Sequence, residues 1–104
     1  MKPDAFNGQL DSLILATVAD EPAHGYAILQ RLQQRSSGAF ELAEGTLYPA
    51  LHRLERDALL TSSWSTGSKR RRRIYDVTPA GRAALRKRRR EWRRFSIAVE
   101  AVLG

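Results

Sequence analysis

The chain has 104 residues, 18 basic and 11 acidic, for a formal net charge of +7 at pH 7. Residues 1–52 hold three bases against six acids and residues 53–104 fifteen against five, so the positive charge lies in the second half and points to a polyanionic partner, nucleic acid or an anionic membrane surface. An apolar share of 42% is enough for one core and excludes a disordered basic tail, while the absence of cysteine excludes disulfides, thiolate metal sites and cysteine catalysis. No apolar run approaches the roughly 18 residues that span a bilayer. The start of the chain, one lysine and then Asp4, lacks the layout of a secretion signal, and a cytoplasmic protein is expected.

In chain order, Phe6, Leu10, Leu13, Ile14 and Thr17 recur at helical spacing and predict a first helix from about Phe6 to Val18. Asp20-Glu21-Pro22 ends it, because a residue before proline resists the helical region. Ile28, Leu29 and Leu32 mark a second helix from about His24 to Ser36, stopped by Ser36-Ser37-Gly38 in the manner of a C-terminal glycine. Leu47, Leu51 and Leu54 line one face of a third, from about Gly45 to Asp57, with Glu44 at its positive end and Pro49 in or near the first turn.

The period then changes to two. Leu60–Ser65 reads as a strand with Leu60, Ser62 and Trp64 on one face, Thr66-Gly67-Ser68 as a turn, and Arg71–Val77 as the returning strand with Arg73, Tyr75 and Val77 on one face. Thr78-Pro79 is a helix start, with threonine as N-cap and proline in the first turn, and a long helix runs from Pro79 to about Leu103.

Three helices, a basic hairpin and a further helix make the order of a winged helix-turn-helix, in which the third helix enters the major groove and the hairpin, or wing, lies along the backbone or minor groove. The expected fold is mainly α with a small β-hairpin, residues 1–78 forming the DNA-binding part and 79–104 a dimerisation helix within one compact unit. With the leucines inward, Thr46, Tyr48, Pro49, His52 and Arg53 are the expected contacts of the reading helix, with Arg56 also turned away from the core, and Lys69, Arg70, Arg71 and Arg72 are those of the wing. Arg73 is the wing cation that could instead turn inward and pair with a carboxylate.

In the last helix Leu85, Trp92 and Val99 are spaced by sevens, with Phe95 and Val102 offset by three; Arg88 interrupts this seam. The seam fits a second copy of the chain, aided by Leu10, Leu13 and Ile14, or the chain's own first helix, and both contacts can coexist. Trp92 and Phe95 either line an effector cavity for a small aromatic or hydrophobic molecule or simply fill the seam. The many arginines of this helix form a second phosphate contact or a solvated face. His24 and His52 lack metal-ligand spacing, no glycine loop cradles a phosphate and no Gly-x-Ser-x-Gly elbow is present, so neither an enzyme nor a metal or cofactor is expected. A winged helix used for protein interaction or non-specific nucleic-acid binding is the competing function.

His24-Gly25-Tyr26, Glu44-Gly45-Thr46-Leu47-Tyr48-Pro49-Ala50-Leu51, Arg53-Leu54-Glu55, Trp64, the basic run ending in Ile74-Tyr75, and Thr78-Pro79-Ala80-Gly81 are together similar to the hallmarks of the PadR family of bacterial transcriptional regulators. The chain resembles the shorter subfamily, in which one helix follows the wing. The resemblance implies a dimer on a palindromic double-stranded operator, usually a repressor of nearby genes for phenolic-acid detoxification, drug export or stress, released by small aromatic or hydrophobic effectors. It places DNA contacts at Thr46, Tyr48, Pro49 and Lys69–Arg72, and makes Trp92 the match to a ligand-stacking tryptophan. Ala58 departs from the pattern, standing where many members carry glycine. A left-handed backbone there costs alanine about 1 kcal/mol, so the third helix is expected to end differently or one residue later.

Overall fold

A computed structural model describes residues 4–65 and 70–104, with side chains from Gly8 onward. The elements are α1 (Asp4–Asp20), α2 (Gly25–Arg35), α3 (Glu44–Arg56), β1 (Leu60–Trp64), β2 (Arg73–Val77) and α4 (Pro79–Leu103). This is the expected mainly helical order with one antiparallel hairpin. The turn Thr66-Gly67-Ser68, Lys69 and the Phe6 side chain lie outside the described residues.

Helix α1 is the centre of the core. Leu10, Ile14, Leu15 and Val18 are buried on it, so its apolar surface is broader than the expected stripe; Leu13 is half-buried. Ile28 and Leu32 of α2, Leu47, Leu51 and Leu54 of α3, and Leu60, Tyr75 and Val77 of the hairpin close around it. The hairpin register pairs Leu60 with Val77, Ser62 with Tyr75 and Trp64 with Arg73. Burial along each strand fades toward the tip, so the wing projects from the core rather than lying on it.

Two bonds tie this hairpin to the helices. The Ala23 amide donates to the Tyr75 carbonyl (3.1 Å), and the Tyr75 amide donates back to Ala23 (2.9 Å). Ala23 is thus a one-residue third strand placed directly before α2.

Both central helices end in a Schellman motif. In α2 the Gly38 amide reaches the Gln33 carbonyl and the Ser37 amide that of Gln34. The left-handed position is Ser37 (φ 53°), one residue before the expected glycine, which follows at φ 86°. In α3 the Leu59 amide reaches Leu54 and the Ala58 amide Glu55. Ala58 has φ 61°, so the helix neither lengthens nor changes its ending: alanine adopts the conformation that glycine would favour. Tertiary bonds impose it. The Thr78 hydroxyl donates to the Ala58 carbonyl (2.6 Å) and accepts from the Gly81 amide (2.9 Å), while the Thr78 amide donates to Leu59 (3.2 Å). One threonine therefore caps α4 and locks the exit of α3.

Pro49 is the sixth residue of α3, in its second turn rather than the first, and it leaves the Gly45 carbonyl without its intrahelical donor. In α4, Gly81 and Leu85 are buried against the body and the Arg88 guanidinium donates to the Gly8 carbonyl (2.8 Å); beyond Arg88 the helix is mostly exposed.

Ala58→Gly is expected to raise stability by about 1 kcal/mol, read by chemical denaturation. Gly81→Ala is expected to lower it by about 2–3 kcal/mol, since the added Cβ would lie 2.1 Å from the Leu59 carbonyl oxygen. Equal stability of either variant and the parent would contradict this picture of the α3–α4 junction.

Candidate nucleic-acid interface

Helix α3 presents three faces. Leu47, Ala50, Leu51 and Leu54 are buried. Opposite them Pro49, His52 and Arg56 are exposed, with Thr46 exposed on one flank. The two flanks are fixed differently.

On the α1 side, Arg53 Nη2 donates to Asp11 Oδ1 at 2.5 Å, with Asp11 almost fully buried. Arg53, an expected DNA contact, stays about one-third exposed while its guanidinium is paired to the chain's own α1, which ties α3 to the core. On the wing side, the Ser62 hydroxyl donates to the Glu55 carboxylate, Arg73 Nε donates to Ser62 Oγ (2.8 Å), and Arg73 Nη2 lies 3.7 Å from Glu55 Oε2. Arg73 takes the inward pairing that its strand position allows, and it locks the wing to α3.

The remaining wing cations sit further out. Arg71 stacks over the exposed Trp64 ring at 4.8 Å and Arg73 shares it at 5.2 Å. Arg70 is exposed. Arg72 extends to His24, with Nη1 2.9 Å from the imidazole Nε2. Tyr48 lies on the wing flank, and Gly25 makes room for it: a Cβ there would be 2.7 Å from the Tyr48 hydroxyl. These groups enclose a cavity of about 500 Å³ between the start of α2, α3 and the wing, lined by His24, Glu44, Tyr48, Tyr75 and Arg70–Arg73. Burial holds the His24 imidazole below its ordinary pKa of 6.5, with Arg72 and Arg31 adding to the effect. Burial likewise raises the Tyr75 hydroxyl. The wall is therefore neutral imidazole and phenol beside four guanidinium groups and one carboxylate.

The seam of α4 divides. Leu10, Ile14 and Leu85, expected to hold a dimer, are buried in the chain's own core and offer no side-chain surface to a second copy; their spacing is that of a core stripe. Leu13 and Val99 are half-buried, whereas Trp92, Phe95 and Val102 are exposed. The Trp92 and Phe95 rings are 5.9 Å apart and tilted. With Leu13, Phe40, Leu42 and Ala84 they line an open groove of about 1190 Å³ between α1 and α4. Among the described residues no group of three His, Asp or Glu side chains could hold a metal, and no helix is long and apolar enough to cross a membrane.

Residues 14–87 match the model of the transcriptional regulator PadR-like family. The chain belongs to that family. It is 47% identical over 77 residues to transcriptional regulator Rv3488 of Mycobacterium tuberculosis, a match covering 74% of this chain and 69% of that one. Its fold follows a transcriptional regulator from Clostridium thermocellum over 100% of this chain and 99% of the other, with a TM-score of 0.87 and 25% identity. A PadR family transcription regulator from Clostridium difficile is 34% identical, with a TM-score of 0.80 and coverage of 91% and 98%. The family and these relatives are regulators and not enzymes, which agrees with the lack of catalytic spacing in the sequence.

His24 and Tyr26, which both line the cavity beside the wing, stand outside the contacts that the sequence points to. A signal for both is present, since His24-Gly25-Tyr26 stands out as a motif, but nothing in its spacing says that α2 starts beside the wing. Asp11→Ala and Arg53→Ala are each expected to cost about 1–2 kcal/mol, with a coupling of about 1 kcal/mol in a double-mutant cycle. Strict additivity would show that the pair does not set α3.

Proposed function

We propose that the chain is a dimeric, sequence-specific repressor that reads a palindromic operator with α3 and steadies itself on the backbone with the wing. Residues 1–78 bind DNA and residues 79–104 dimerise. The observation that carries this reading is the joining of α3 to the wing through Glu55 and Arg73, with Tyr48 of α3 and Arg70–Arg73 of the wing around one cavity. Thr46, Tyr48, Pro49 and His52 face the groove, joined by Arg56. Lys69, which lies outside the described residues, belongs with Arg70, Arg71 and Arg72 as a source of phosphate attraction. Arg53 acts from behind by fixing the helix.

Family membership supports DNA as the partner, and the seam of α4 supports the dimer. Trp92, Phe95, Val99 and Val102 form an apolar strip that a second copy would cover. Covering it would also close the groove beside Leu13, leaving a site in which Trp92 and Phe95 stack on a small aromatic or hydrophobic effector. Such a ligand would shift the two reading helices away from half-sites one turn (~34 Å) apart and release the operator. A cytoplasmic location follows from this role.

At physiological salt, a palindromic fragment from upstream of the gene is expected to bind far more tightly than random duplex in gel-shift competition; equal binding would favour the non-specific module. Neutralising Arg70 and Arg71 should weaken binding to every sequence alike and flatten the log–log salt slope by about 0.9 for each phosphate that is no longer neutralised. An unchanged slope would place the wing off the backbone. Trp92→Glu with Val99→Glu should give a monomer in sedimentation, and a persisting dimer would move the interface elsewhere.

A further inference from the structure

The His24 side chain stands between two groups that can only donate. On one side its Nδ1 accepts from the Ala27 amide at 3.2 Å, the N-cap bond of α2. On the other, Arg72 Nη1 lies 2.9 Å from Nε2. A backbone N–H and a guanidinium cannot reverse their roles, and a neutral imidazole has a single lone-pair nitrogen. While Nδ1 serves the cap, Nε2 carries the proton and is turned toward the guanidinium, so the two groups offer donors to one place. Depression of the His24 pKa adds to this, because it keeps the ring in the neutral form that the cap needs.

An oxyanion accepts from both donors at once. The pair borders the cavity between α2, α3 and the wing, whose lining holds four arginines and one carboxylate, Glu44. Tyr48 lines the same cavity and its hydroxyl lies against Gly25. The cavity lies on the flank of α3 rather than on its exposed face, and the flank of a helix seated in the major groove faces the sugar-phosphate backbone. We propose that His24 and Arg72 together seat one backbone phosphate of the bound duplex, His24 donating from Nε2 and Arg72 from Nη1, a contact that rests on the DNA-binding reading above. The phosphate removes the donor–donor conflict and leaves the α2 cap intact. His24 is thereby a DNA-binding residue on α2, outside the reading helix and the wing.

The test compares the whole protein with His24→Asn, which keeps an N-capping side chain but removes the Nε2 donor. Binding to a short random-sequence duplex is read by fluorescence anisotropy, with Arg70→Gln/Arg71→Gln alongside. The expected result is an unchanged melting temperature and affinity about tenfold weaker. His24→Asn binding like the parent while Arg70→Gln/Arg71→Gln weakens would overturn the His24 contact and leave the DNA reading standing. A parent protein that binds no duplex would overturn both. Should the variant melt early, the parent decides the matter by long-range proton–nitrogen NMR of the His24 ring: duplex is expected to shift Nε2 while Nδ1 stays unprotonated, and an unmoved Nε2 contradicts the contact. A shift produced by inorganic phosphate but not by duplex would assign the seat to a free anion and also overturn it.

Discussion

The presentation of the interface depends on one short piece of sheet, the reciprocal pair of backbone hydrogen bonds between Ala23 and Tyr75. Through it the residue that precedes the His24 cap of α2 cannot move without the returning strand of the wing. Tyr75 is buried in the core shared with α1, and Arg73, two residues before it, is tied to Glu55 of α3. Three separately coded segments, the α2 start, the flank of α3 and the wing, are thereby held as one surface. Packing alone would orient them loosely, because apolar contact is not directional; the bridge and the ion pairs supply direction.

The charge of the chain divides along the same lines. The second half is strongly basic, yet its arginines do different work. Arg53 and Arg73 are paired with Asp11 and Glu55 and hold α3 from two sides. Arg71 is spread over Trp64, which keeps its charge outward at the wing tip. Arg88 holds α4 to the start of α1. The other basic residues of α4 lie along a mostly exposed helix on a different part of the molecule from α3. The charge available to a duplex is therefore smaller than composition suggests and is concentrated beside α3.

Much of the fold is legible in the sequence because its cues are local. Leucine spacing in α3, alternation in the hairpin and Thr78-Pro79 at the head of α4 each report a period or a cap, and each element appears in the expected order, with the returning strand starting at Arg73 rather than Arg71. Where the structure departs from those expectations, the deciding interaction is long-range. Ala58 is left-handed because Thr78, twenty residues away, holds its carbonyl. Arg53 is paired to Asp11, forty-two positions earlier. Leu85 has the spacing of a seam, and spacing cannot say whether the partner helix is in the same chain. His24 illustrates the same limit: its motif is plain in the sequence, but its proximity to Arg72 is created by the Ala23–Tyr75 bridge.

The central claim is that α3, the start of α2 and the wing form one DNA-facing surface. Backbone amide shifts recorded while a short duplex is titrated into the protein address it directly. The account predicts the largest changes at residues 24–26, at 45–48 and at 70–73, with little change from Ser96 to Leu103. Shifts concentrated along α4, with the start of α2 and α3 silent, would contradict it.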